Sequence, residues 1–106
     1  MINDINYTKV KNKKGTGNDN PPKGYNSWKE YWEYVKKRKF GKCSNVKCTN
    51  KAEDGSHVFT YMTVSDSISK SKIVELDQYI VPLCKTCNNP NNEDDIEVSI
   101  YDLLKI

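Results

Sequence analysis

The apolar positions of residues 27–41 follow the period of an amphipathic α-helix. Four of them recur at intervals of three and four residues and so share one helical face: Trp28, Tyr31, Trp32 and Val35. Ser27 is suited to cap this helix, since Glu30 follows three residues later as in a capping box, and Gly41 is a suitable stop. We expect the aromatic face to pack in a hydrophobic core.

Alternating patterns later in the chain predict β-structure. Residues 57–64 and 73–81 are rich in β-branched and aromatic side chains, which predicts a β-hairpin with a long loop. Pro82 is expected to end the second strand, because proline cannot donate a hydrogen bond to the ladder. A short helical turn is expected over residues 84–89, and the alternation within residues 96–104 predicts a last strand.

The first 26 residues show neither period and indicate a basic N-terminal arm. Five residues punctuate it: Gly15, Gly17, Pro21, Pro22 and Gly24. We expect this arm either to move freely or to lie as a loop over the folded part, with Tyr25 and Trp28 as its anchors in the second case. The folded domain is predicted to span residues 27–106.

Hydrophobic residues make up 36% of the 106-residue chain, and charged residues make up 29%. A folded part of roughly 80 residues is near the size at which disulfides or a metal supplement the core. Residues 1–20 hold no apolar run of about 7–15 residues, as a secretory signal requires, and no segment approaches the roughly 18 apolar residues of a membrane span. We therefore expect a cytoplasmic protein with no membrane partner, in which reduced cysteines bind metal.

Charge is divided unevenly along the chain. Residues 1–51 carry 13 Lys and Arg against 4 Asp and Glu, whereas residues 52–106 carry 4 against 10, so the halves have formal charges of +9 and −6. The basic half could contact nucleic-acid phosphates, and the aromatic stripe could stack on bases; a solubilising role of the lysines is the alternative. The candidate phosphate-binding residues are Lys9, Lys11, Lys13, Lys14, Lys36, Lys37, Arg38, Lys39 and Lys42.

Four cysteines form two closely spaced pairs, Cys43-x4-Cys48 and Cys84-x2-Cys87, separated by 35 residues. Such pairs place both sulfurs on one ion without the entropy cost of closing a long loop, and two pairs give the tetrahedral sulfur set that zinc prefers. We predict a structural Zn²⁺ site; two disulfides, free thiols and an iron–sulfur cluster are the alternatives.

The order of these elements predicts the fold class. A cysteine knuckle, a hairpin and a cysteine pair at the start of a helix follow one another as in a treble clef. We therefore predict a small zinc-stabilised α+β domain, with a ββα-metal-like hairpin plus short helix, preceded by an amphipathic helix. Metal binding would then contribute folding free energy directly.

Three stretches of the chain together resemble a known family. Cys43-x4-Cys48, Gly55-Ser56-His57-Val58 and YIVPLCKTCN (79–88) resemble the HNH, or His-Me finger, endonucleases that contain a zinc-binding treble clef. The resemblance covers about residues 43–92 and implies that the four cysteines hold a structural zinc. It also implies a general-base histidine on the first hairpin strand and a catalytic divalent ion, Mg²⁺ or Mn²⁺, held in part by a residue after the last cysteine.

By position, the resemblance assigns the general base to His57, the only histidine, and the ligand after the last cysteine to Asn88 or Asn89. An unperturbed histidine pKa near 6.5 suits a base at neutral pH. The alternatives for His57 are a hydrogen-bonded strand residue, a partner of the zinc thiolates, or a zinc ligand in place of one cysteine. For the asparagines the alternative is local hydrogen bonding to the backbone.

Two positions depart from the family pattern, so the catalytic motif is incomplete. Ser56 stands where an Asp or His ligand is expected, and Tyr79 stands where an orienting Asn is expected. Asp54 and Asp66 are candidate replacements for the missing carboxylate. Asp77 or Gln78, after a register shift, are candidates for the orienting residue.

Three functions are compatible with these observations. The first is an HNH-like zinc-binding domain that binds nucleic acid. The second is an active metal-dependent endonuclease that hydrolyses phosphodiesters with His57 as general base. The third is a treble-clef protein-interaction module, in which Glu93-Asp94-Asp95 and the last strand face a protein partner.

Overall fold

A five-stranded antiparallel sheet and one α-helix make up a small α+β fold. The structure, a computed structural model, describes residues 6–15, 19–65 and 71–106. In chain order the elements are β1 (Tyr7–Asn12), α1 (Trp28–Lys36), β2 (Asp54–Ser65), β3 (Ser71–Leu83), β4 (Ile96–Ser99), a 3₁₀ turn (Ile100–Asp102) and β5 (Leu104–Lys105). The strand order across the sheet is β4-β1-β2-β3-β5. Within the described ranges no helix is long and apolar enough to cross a membrane.

Strand β1 lies within the segment that the sequence pattern assigns to an arm. It pairs with β4, where Val10 lies opposite Ile96, and with β2, where Asn12 lies opposite Val58. Val10 is fully buried. The residue pattern does not predict this strand, because Val10 is the only apolar residue among the three side chains that alternate toward the core.

The predicted hairpin is confirmed and extends beyond its apolar pattern. β2 and β3 pair from Asp54 with Leu83 to Ser65 with Ser71, with one irregularity of register near Thr60. Pro82 does not end β3, contrary to the sequence expectation, and its carbonyl accepts a hydrogen bond from the Ser44 N–H (2.9 Å). The carbonyl of Pro82 is thus bonded outside the β2–β3 ladder, so at this position the missing N–H of proline does not interrupt the pairing with β2.

Helix α1 begins as predicted and ends earlier. The Ser27 hydroxyl accepts the Glu30 N–H (3.0 Å), as an N-cap should. The helix ends at Lys36 rather than at Gly41, because Lys37 adopts a left-handed conformation (φ 60°) and donates its N–H to the Glu33 carbonyl (3.0 Å).

Two hydrophobic clusters lie on opposite faces of the sheet, since neighbouring strand residues Ile80 and Val81 belong to different ones. We call the first the thiol cluster: Val10, Cys43, Val58, Val81, Leu83, Cys84, Cys87, Ile96 and Val98, with Cys48, Tyr79 and Leu103 packed against it. We call the second the tryptophan cluster: Trp32, Phe40, Ala52 and Ile80, with Trp28 and Leu104 packed against it. Of the predicted helical core face only Trp32 is fully buried, and Val35 is 39% exposed.

The segments after β3 differ in detail from the sequence expectation. Beyond Cys84 the chain makes the expected single helical turn, in which the Asn88 N–H donates to the Cys84 carbonyl (3.0 Å), and this turn does not continue into a helix. The last predicted strand stops at Ser99, whose hydroxyl accepts the Tyr101 N–H (3.2 Å) and starts the 3₁₀ turn. The treble-clef assignment remains a prediction.

Candidate metal centre and the adjoining cleft

The four cysteine sulfurs converge within the thiol cluster. Their Sγ atoms all lie within 4.8 Å of one another, and those of Cys48 and Cys84 are 3.7 Å apart. A tetrahedral zinc ion with Zn–S bonds of about 2.3 Å needs sulfurs about 3.8 Å apart, whereas a disulfide needs about 2.05 Å. The four cysteines are free of disulfides, and their geometry could hold a metal ion such as zinc.

Backbone hydrogen bonds in the loop of residues 42–51 position the first pair of thiols. The Cys43 N–H donates to the Asn50 carbonyl (2.8 Å), and the Cys48 N–H donates to the Asn45 carbonyl (2.9 Å). The second pair follows β3 directly, so the sheet fixes where Cys84 begins its turn. Both pairs are therefore held by the fold on the same side of the sheet.

The surroundings of the thiols shift their pKa values in different directions. Burial raises the pKa of Cys43 and of Cys87. Burial also acts to raise the pKa of Cys84, but hydrogen bonds from the Cys87 backbone N–H (3.4 Å) and the Asn50 side chain (3.7 Å) outweigh it and lower that pKa to about 6. A metal ion would supply the positive charge that lets all four sulfurs be thiolates together.

His57 lies on the face of the sheet opposite the thiols. Its imidazole packs edge-on against the Trp28 indole (centroids 4.9 Å apart), and its Nε2 atom is 3.8 Å from a carboxylate oxygen of Asp19. It is 9% exposed. Burial lowers the pKa of His57, and Asp19 only partly offsets this, so the surroundings favour the neutral ring. In the described part of the chain, the cluster that could hold a metal contains the cysteines without His57.

A cleft of about 560 Å³ opens beside His57. We call it the His57 cleft; β1, β2, the start of α1 and the turn after Cys87 line it. Asp54 and Asn88 lie in it together, because the Asn88 amide donates to an Asp54 carboxylate oxygen (3.4 Å). Asn89 does not line the cleft, and its side chain accepts the Asn91 N–H (2.8 Å) in a local turn.

Two buried oxygen atoms lining the cleft have no hydrogen-bond partner among the described residues. They are Ser56 Oγ and Asn12 Oδ1, in side chains that are 2% and 9% exposed. Asn12 is otherwise engaged, since its amide nitrogen donates to the Cys87 carbonyl (2.8 Å). Sequence reasoning missed Asn12, because an isolated asparagine in a lysine-rich segment carries no signal. A buried acceptor without a donor is costly, so both atoms favour a bound water, cation or ligand group here.

The other residues considered as the missing carboxylate or as the orienting residue do not line the His57 cleft in the part of the chain that the structure describes. Asp77 pairs with Lys105 (3.1 Å), and Gln78 donates to Glu75 (2.8 Å), both away from the cleft. Tyr79 packs against the thiol cluster. Asp66 lies outside the described residues.

Most of the candidate phosphate-binding residues form ion pairs within the domain. Five carry a carboxylate partner: Lys11, Lys13, Lys14, Arg38 and Lys39. The other four pair with no carboxylate in the part of the chain that the structure describes: Lys9, Lys36, Lys37 and Lys42. The uneven charge along the sequence is thus partly neutralised in space, as β1 brings basic residues to the acidic segment of residues 93–95.

No protein family matches the chain, and no curated protein or solved structure is similar to it.

Proposed function

We propose that this chain is a zinc-stabilised, HNH-like domain that binds nucleic acid at the His57 cleft. One observation carries the proposal: His57 and Asn88, to which the resemblance assigns roles, line the same cleft, and Asn88 directly follows Cys87 of the four-cysteine cluster. The metal centre fits a structural role, because four thiolates would leave zinc no open position for substrate.

The cleft offers cations and N–H groups to a phosphate. Lys13, Lys14 and Lys29 lie on its walls, and it reaches the N-terminal end of α1 at Ser27 and Trp28. Phosphates bind at such helix ends because free backbone N–H groups and the positive dipole end meet there. The Lys14 ammonium pairs with Glu93 on the exposed rim, and an exposed pair of this kind costs little to exchange for a phosphate.

Fluorescence anisotropy of the zinc-loaded protein with labelled DNA and RNA at several salt concentrations tests this function. We expect affinity to fall as salt rises, and Lys14→Gln to weaken binding and reduce the salt slope by about one. Lys105→Gln is the matched control, since Lys105 is also exposed and paired with a carboxylate but lies outside the cleft. Absence of binding at low salt would contradict the proposal.

Phosphodiester hydrolysis is the second candidate function, and the oxygen atoms of the cleft favour it. Asp54, Asn88, Ser56 and Asn12 present carboxylate, amide and hydroxyl oxygens of the kind that Mg²⁺ or Mn²⁺ prefers, two of them buried without a donor. A divalent ion held by these residues would polarise a phosphate oxygen. His57, neutral because of its burial, can accept a proton from an attacking water.

A nicking assay on supercoiled DNA with Mg²⁺ or Mn²⁺ tests hydrolysis. We expect His57→Ala to abolish nicking and Asn88→Ala to reduce it strongly, while the neighbouring Asn89→Ala, outside the cleft, leaves it unchanged. Equal nicking by wild type and His57→Ala would show that His57 is not the base. Binding without nicking would leave the first function standing and remove the second.

A further inference from the structure

A row of aromatic rings leads away from the His57 cleft over the outer surface of α1. The Trp28 indole contacts both the His57 imidazole (4.9 Å) and the Tyr31 ring (6.0 Å between centroids). Tyr25 continues the row, with its ring 5.0 Å from Tyr31 and 5.6 Å from Tyr34. We call Tyr25, Trp28, Tyr31 and Tyr34 the aromatic row.

The aromatic row is accessible to solvent. Tyr34 is 64% exposed, and the other three members are half-buried, whereas Trp32 on the same helix is fully buried. Aromatic side chains bury large areas when they find a partner, and a contiguous patch of them at the surface marks an interaction site. The row is also continuous with the cleft, because Trp28 belongs to both.

The charges around the aromatic row suit an anionic partner. The Lys37 ammonium lies 5.9 Å from the centroid of the Tyr34 ring, and among the described residues it has no carboxylate partner. Of the two carboxylates of α1, Glu33 is paired with Lys39 (3.7 Å), whereas Glu30 lies near Tyr25, at a different ring of the row from the one that Lys37 approaches. A phosphate beside Tyr34 would therefore meet an available cation.

We propose that the aromatic row binds single-stranded nucleic acid and leads it into the His57 cleft, an inference that rests on the proposed nucleic-acid function of that cleft. Unpaired bases offer flat faces that stack on aromatic rings with little regard to sequence, while Lys37 contacts a backbone phosphate. In a duplex the neighbouring bases cover those faces. The row should thus prefer single strands over duplex.

Anisotropy titrations of the full zinc-loaded chain with labelled oligo-dT, oligo-rU and a dT·dA duplex test this inference. We expect Tyr34→Ala to weaken single-strand binding on the order of 5- to 100-fold and to leave duplex affinity unchanged. Tyr34→Phe keeps the ring and should retain wild-type affinity. Tyr101→Ala is the matched control, because Tyr101 is 62% exposed and belongs to no described ring pair.

Each other outcome of these titrations contradicts a definite statement. Equal losses for Tyr34→Ala and Tyr101→Ala, or an equal loss for Tyr34→Phe, would overturn stacking on the aromatic row. Duplex binding without single-strand preference would also overturn the row and leave the proposed function intact. Absence of binding to all three nucleic acids, in protein that is folded and zinc-loaded, would overturn both.

Discussion

The two hydrophobic clusters are built from different kinds of side chain. The tryptophan cluster relies on packing: the Trp32 ring lies 5.2 Å from that of Phe40, and its indole N–H donates to the Asp102 carbonyl (2.9 Å). The thiol cluster holds only small and aliphatic side chains in its centre and is completed by four cysteines whose sulfurs lie within 4.8 Å of one another. One face of the sheet is thus filled by large side chains, and the other contains four thiols that could hold a metal ion.

This difference divides β1, β4 and α1 between the two clusters. Strands β1 and β4 contribute Val10, Ile96 and Val98 to the thiol cluster alone, whereas α1 contributes Trp32 to the tryptophan cluster. The hairpin of β2 and β3 serves both. Loss of the ion should therefore act first on β1, β4 and the cysteine loops, and loss of packing should act first on α1.

Removal of the metal should have the largest effect. We expect Cys84→Ser, or chelation with EDTA, to unfold residues 43–89 and to release β1 and β4 with them, because structural zinc supplies on the order of 10 kcal/mol to small zinc domains. Circular dichroism and a zinc release assay measure it. Thr86→Ser, an exposed change in the same turn, is the control. A Cys84→Ser protein that stays folded without metal would refute the dependence on the ion.

Truncation of Trp32 should have the next largest effect. Trp32 is the one side chain of α1 that is fully buried in the tryptophan cluster. Trp32→Ala should therefore lower the free energy of unfolding by about 3–5 kcal/mol. The metal content should stay at wild-type level, as measured alongside urea denaturation. Loss of metal in a still-folded variant would mean that the two clusters are not separable. Tyr34→Ala on the exposed face is the control.

A smaller effect is expected where α1 meets β2. A Cβ atom added at Gly55 would lie 2.8 Å from the backbone carbon of Trp28 and 2.9 Å from the backbone nitrogen of Lys29, so α1 would have to shift. Gly55→Ala should cost about 1–3 kcal/mol in urea denaturation. Gly41→Ala, with nothing within 4 Å of the new atom, should be nearly neutral, and equal losses in both variants would contradict the clash.

The pH dependence of stability should show the smallest effect. Because burial lowers the pKa of His57, the unfolded state binds a proton more readily, so stability is full above the unfolded pKa near 6.5 and falls as pH drops through the folded pKa. Cysteine protonation adds its own loss at low pH in every variant. Urea midpoints at pH 5.5 and 7.5 should therefore differ less in His57→Gln than in wild type, and equal differences would contradict this.

The local patterns of the sequence predict about half of this fold. The hairpin, the start of α1 and the convergence of the cysteines follow from periodicity, capping and spacing, which are properties of neighbouring residues. Strand β1 is not predicted by these local patterns, because its only apolar inward side chain, Val10, packs against strands that are distant in the sequence. The end of α1 before Lys37 is also not predicted, since no sequence pattern marks a lysine that adopts the left-handed conformation.

The candidate site, like the fold, is predictable from the sequence only in part. The sequence correctly indicates that the four cysteines lie together. It could not show that Asn12 enters the cleft, that Asp19 approaches His57, or that five basic residues form ion pairs, because each of these contacts joins segments far apart in the chain. The assignment of His57 and Asn88 to catalysis stays a prediction.

The place of β1 in the sheet has a consequence for how the chain folds. β1 precedes every other strand in the chain yet lies between β2 and β4, and its Lys11 side chain bonds to the Glu93 carbonyl 82 positions away. The β2–β3 hairpin can form in microseconds from local contacts, but such distant pairing is slow. During synthesis, β1 can pair with β2 before β4 has been made, and until β4 leaves the ribosome the other edge of β1 stays open to other strands.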